Sequence, residues 1–171
     1  MDLALIVLRV VVGAFFVGHG AQKLFGWFGG HGPAGTAGFF ESLGIRPGHV
    51  HARAAGWAEF GGGLLLVLGL LTPLAAAAII ATMLVAIITV HWKNGPWSTD
   101  GGYEYNAVVL ALLFALTDED SGTGWALAAL AAGAASSWLV TGPLNEPASG
   151  GAPDQGPSPD AQPAGDPASM A

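Results

Sequence analysis

Six polar residues sit where the surrounding sequence is otherwise suited to lipid: His19, Lys23, Arg53, Glu59, Glu104 and Asn106. Imidazole, ammonium and carboxylate groups brought together could exchange protons, hydrogen-bond a ligand carbonyl or form an ion pair. Their spacing matters because each lies near one end of an apolar run. A lone carboxylate in hydrocarbon costs several kcal/mol, so Glu59 must pair with Arg9, Lys23, Arg53 or a histidine, or else hold a proton. Along the first run, 100° per residue sets Arg9, His19 and Lys23 within an arc of about 80°, so one helical face can carry all three. The helical rise sets His19 roughly 6 Å before Lys23, and Glu59 roughly 9 Å beyond Arg53.

Each of these residues also has a plainer reading. Glu59 suits a structural ion pair as well as a functional cavity. Lys23, Arg53 and Lys93 lie near span ends, where long side chains snorkel their charges to the interface. His19 and His91 could supply axial ligands to a haem, but any bundle with two histidines allows that. His49-x-His51 with His31 and Glu41 lies in a glycine-rich loop, where solvated histidines are the simpler expectation, so no metal enters the reading. The glycines Gly56, Gly61, Gly62, Gly63 and Gly69 fit close helix packing, and no phosphate loop is present.

The elements that must position these groups follow from composition. Of 171 residues, 52% are hydrophobic and only 10% charged, which indicates a membrane protein. The net charge of −7 is uneven: Glu146, Asp154, Asp160 and Asp166 lie in a tail without Lys or Arg, leaving eight acids against five bases in the rest. No basic stripe exists for a phosphate backbone, so nucleic-acid binding is excluded as a function. The absence of cysteine removes disulfides, thiolate metal sites and thiol redox chemistry on this chain.

A bilayer core about 30 Å thick takes about 20 helical residues. Leu3 to Phe25 meets this and reads as a retained first span, since Asp2 stands where a signal peptide would be basic. A glycine-rich connection follows, with a short interfacial helix expected over Thr36 to Leu43. Span two is expected over Ala52 to Leu71. Span three begins at once, with Thr72 as N-cap and Pro73 at the first helical position, and ends near His91. The loop "WKNGPWSTDGG" leads to a fourth run, "YEYNAVVLALLFALT". After an acidic break, "DEDSGTG", the sixteen residues "WALAALAAGAASSWLV" form either a fifth span or a helix lying at the interface. From Pro143 on, seven of the eleven prolines and scattered acids make a disordered tail.

The expected fold is therefore all-α, a transmembrane four-helix bundle with an additional Ala-rich helix and a disordered C-terminal tail. Its divisions are 1–117, 118–142 and 143–171. Alternating span directions bring the end of span one, the start of two, the end of three and the start of four to one leaflet, collecting His19, Lys23, Arg53, Glu59, His91, Lys93, Glu104 and Asn106. Lys23, Arg46, Arg53 and Lys93 would make that face cytoplasmic. Five spans would send the tail to that same side, four to the other.

Three sequence blocks carry a resemblance: "LRVVVGAFFVGHGAQKLFGWFGG" with "FFESLGI", then "AGWAEFGGGLLLVLGLLTPLAA", then "NGPWSTDGGYEYNAVVLALLFAL". The combination H-G-x-x-K-L-F-G, E-x-x-G-G-x-x-L-x-x-G-x-x-T-P and G-G-Y-E-Y-N resembles DoxX-like integral membrane proteins over about residues 3 to 117. The resemblance implies a small four-helix protein of the bacterial cell membrane, associated in some members with thiosulfate:quinone oxidoreduction and in others with membrane complexes handling oxidative or sulfur stress. It sets the family's polar signature on His19, Lys23, Glu59, Glu104 and Asn106. The chain departs from the family pattern after Thr117. Three functions follow for testing: a redox-associated subunit binding a quinone-like molecule beside a soluble or membrane redox partner, a scaffold recruiting soluble enzymes, and a small transporter. A homo-oligomer is compatible with all three.

Overall fold

The computed structural model describes residues 3–145. The expected tail therefore lies outside the described residues, apart from its first three. Among the described residues six α-helices run in chain order: α1 (Leu3–Phe25), α2 (Gly32–Ser42), α3 (Gly48–Leu68), α4 (Thr72–Ala86), α5 (Glu104–Ser121) and α6 (Thr123–Thr141). No strand occurs among the described residues. Three helical stretches, Leu3–Phe25, Thr72–Asn94 and Thr123–Thr141, are long and apolar enough to cross a membrane. α3, with its glycines and histidines, and α5, with four acidic residues, are less apolar and complete the bundle between them.

Helices α1 and α3 pack through glycines. A Cβ on Gly13 would stand 2.6 Å from the Gly63 carbonyl oxygen, and one on Gly20 would stand 2.7 Å from that of Gly56. The two backbones thus approach more closely than any side chain would permit. The triplet Gly61-Gly62-Gly63 is divided between neighbours: Gly63 meets α1, Gly62 meets Ile79 of α4, and Gly61 faces open space. α4 is packed in turn by α3, α5 and α6. Around it lies a core of Val12, Phe16, Leu66, Ile79, Ile80, Leu113 and Ala129. Exposed Phe15, Leu64, Leu74, Val108, Leu127 and Leu139 face outward, as a lipid-solvated bundle requires.

The turn between α3 and α4 is as short as the sequence suggests, with Gly69 left-handed at φ 65° and Leu71 also left-handed at φ 47°. Leu71, rather than Thr72, precedes the helix, and Thr72 makes no side-chain cap. Its hydroxyl instead donates to Asp120 Oδ2 at 2.6 Å. That contact explains a second departure from the sequence reading. The acidic "DEDS" does not break the helix, and α5 continues to Ser121 because Asp118 and Asp120 each find a donor nearby. Only Gly122, at φ 89°, separates α5 from α6. The Ala-rich helix is a full bundle member: Ala126, Ala129 and Gly133 are buried, and a Cβ on Gly133 would come within 2.8 Å of Ile80 Cβ.

Candidate functional site

α4 does not stop at Ala86 but widens into a π-helical turn over Ile87–His91. Such turns are rare and bring an additional residue into the helix wall. Thr89, Val90 and His91 from this turn border a cavity of about 630 Å³. The end of α1 contributes His19 and Lys23, α3 contributes His51 and Glu59, and the start of α5 contributes Tyr105 and Asn106. α2 closes one side with Phe39 and Phe40, and the end of α6 adds Ser136 and Val140. Most of the remaining wall is alanine, valine or leucine, so a few polar groups are set into an apolar enclosure.

Lys23 Nζ donates to Glu59 Oε2 in an ion pair. The carboxylate side is nearly dry at 5% exposed, whereas the lysine side chain is 25% exposed. Lys23 therefore turns inward to its counter-ion instead of snorkelling outward. The glycine packing between α1 and α3 makes this reach feasible, since Gly20 and Gly56 let the two helices approach beside the pair. Asn106 is buried, and its Nδ2 donates only to Met83 Sδ at 3.4 Å, a weak acceptor. His19 has an exposed imidazole against Phe16, with ring centroids 6.2 Å apart. His91 Nδ1 donates to Gly101 O at 2.7 Å, anchoring the loop between α4 and α5.

Of the six residues singled out by sequence, His19, Lys23, Glu59 and Asn106 border one cavity. Arg53 is exposed and outside its walls. Glu104 is exposed at the first residue of α5, before the helix's apolar part, and accepts from the Ser98 amide at 3.0 Å. That backbone hydrogen bond, with a further one from the Ser98 hydroxyl, holds its carboxyl below the usual glutamate range. The loop histidines disperse: His49 is exposed, His51 reaches the main cavity, and His31 borders a smaller one. Glu41 accepts from the Gly48 amide at 3.3 Å. Sequence reasoning did not find Tyr105, Thr82, Thr89 or the α2 phenylalanines. The only available signal for α2 was its pair of adjacent phenylalanines in a glycine-rich stretch.

Of the partners the sequence leaves open to Glu59, Lys23 is the one it takes and Arg9 is not. Arg9 instead forms an ion pair with Asp120 near the opposite end of the bundle. The alternation that gathers Lys23 and Glu59 at one end also brings the first turns of α1 and α4 to the last turn of α5. Arg9 is 3% exposed, and its Nε makes no hydrogen bond.

Comparison with known proteins is consistent with this architecture. A family model described as DoxX matches residues 4–92. A protein of Bacillus subtilis (strain 168) named "Putative oxidoreductase CatD" is 31% identical over 116 residues, which cover 68% of this chain and 80% of that one. No solved structure matches. With a family match over half of its length and three helices suited to a bilayer, the chain is a membrane protein and belongs to the DoxX family.

Proposed function

We propose that this chain is a multi-pass subunit of the bacterial cell membrane that binds a quinone-like molecule in the 630 Å³ cavity and exchanges protons with it. The observation that carries the reading is the Lys23–Glu59 pair set, with Asn106 and His19, into a wall that is mostly apolar. A quinone head is flat, apolar and bounded by carbonyl acceptors. Nδ2 of Asn106, the His19 ring and the Lys23 ammonium are donors on the cavity wall, two from α1 and one from α5. Reduction to the quinol takes two electrons and two protons; Lys23 and Glu59 would handle protons, and a partner oxidoreductase would supply electrons. The chain itself has no cysteine, which agrees with electrons arriving from elsewhere. The relative's oxidoreductase name supports the redox reading.

Passage of a solute through the bundle fits less well. Between the cavity and the Arg9–Asp120 pair lies the packed layer of Val12, Phe16, Leu66, Ile79 and Leu113, which offers no polar lining. The test is saturable binding of a short-chain quinone to purified protein in detergent. Glu59→Gln and His19→Ala should each weaken binding at least tenfold, and Arg53→Ala should leave it unchanged. Unaltered binding in both pocket variants would refute the site and favour a scaffold.

A further inference from the structure

A second cavity of about 410 Å³ lies beside the first, beneath the loop that joins α1 to α2. Gln22, His31 and Thr36 contribute polar groups to it, and Lys23, Phe39 and Phe40 belong to its walls and to those of the main cavity. Lys23 is thus the one ionisable side chain among the described residues common to both. The asymmetry of its ion pair points the same way: the lysine side chain is partly exposed, while that of Glu59, which borders the main cavity alone, is almost wholly covered. Gln22 is loosely held, with Nε2 donating to Phe28 O at 3.4 Å, so it retains capacity for water. The wall is largely glycine and phenylalanine, so water in it would gather at Gln22, His31 and Lys23; the volume has room for on the order of a dozen molecules.

We propose that this outer cavity is a water-filled vestibule through which water and protons reach Lys23, and through it the Glu59 carboxylate, without entering the main cavity. Phe39 and Phe40, which border both spaces, stand between the vestibule and the ligand side. The use made of the protons rests on the quinone reading; the vestibule itself does not. Access of solvent to Lys23 can therefore be measured whether or not a quinone binds.

The chain contains no cysteine, so single cysteines report cleanly. Two would be placed: Gln22→Cys, which leaves the ion pair intact, and Lys23→Cys combined with Glu59→Gln, which leaves no unpaired carboxylate. In proteoliposomes, a cationic thiosulfonate reagent that does not cross lipid would be added to each face in turn. Both cysteines should react from the face carrying the α1–α2 loop. Adding Thr36→Trp to plug the vestibule should slow both reactions at least tenfold. Adding Thr89→Trp to fill the main cavity should leave both rates unchanged. Cysteines that stay unreactive, or that are protected by Thr89→Trp and not by Thr36→Trp, would overturn the proposal. Absence of saturable quinone binding by the unsubstituted chain, with this labelling pattern intact, would refute the quinone site alone.

Discussion

Replacing Asp120 by asparagine should be far more damaging than replacing its partner Arg9 by methionine. Asparagine preserves the shape at 120 and still accepts the Thr72 hydroxyl, but it removes the one counter-charge that Arg9 has among the described residues. Arg9 lies about 9 Å along α1 from its first residue, with a side chain only 4% exposed. A guanidinium cannot escape by losing its proton. Breaking a buried pair in this way costs about 3–5 kcal/mol. At about 2–4 °C per kcal/mol for a chain of this size, the melting temperature should fall by roughly 6–20 °C. Arg9→Met has a different consequence, because Asp120 is left at a helix end with its side chain 19% exposed, where water can solvate it. That variant should lose no more than about 1–2 kcal/mol, and the double variant should match it instead of adding the two losses. Thermal unfolding of all four proteins in one detergent, followed by circular dichroism, gives the cycle. Equal losses for the two single variants, summing in the double, would show that burial of the arginine is not the governing term.

Gly63→Leu should loosen α1 from α3 and cost at least about 1–3 kcal/mol by overpacking, whereas Gly61→Ala, one turn-face away in open space, should be neutral or slightly stabilising; unfolding temperatures decide between them. Gly133→Val should destabilise by a comparable amount, because its side chain would enter the space held by Ile80; a protein indifferent to it would show that α6 is not packed on α4. A reporter fused after residue 145 should be active in the same compartment as one inserted at Lys93, since the end of α6 borders the cavity that holds Lys23; activity in opposite compartments would refute a five-helix path.

Much of this architecture is written locally in the sequence. α1 has the expected limits because its apolar run is uninterrupted except for groups that find partners inside the bundle. The convergence of His19, Lys23, Glu59 and Asn106 follows from counting alternating spans. Which side of each helix faces inward is harder to read, because α3 has apolar and small residues all round; hence Arg53, six residues from Glu59, points outward. The fate of "DEDS" was illegible for another reason. The partners of Asp120, Arg9 and Thr72, lie far away in the chain, and a local pattern of acids reads as a break when such partners are out of view. α2 was placed only approximately, and its part in enclosing the site depends on the fold of the glycine-rich loop around it.

The glycines that join α1 to α3 recur at equal intervals, seven residues from Gly13 to Gly20 and seven from Gly56 to Gly63. Such a repeat is ambiguous about alignment, because sliding one helix past the other by a full interval still sets glycine against glycine, with Gly13 now opposite Gly56. What tells the two alignments apart is electrostatic: in the shifted one, Glu59 would stand beside Phe16, and Lys23 would have no anion within reach. The smallest side chains allow the helices to meet, and one ion pair selects where along their length they do so.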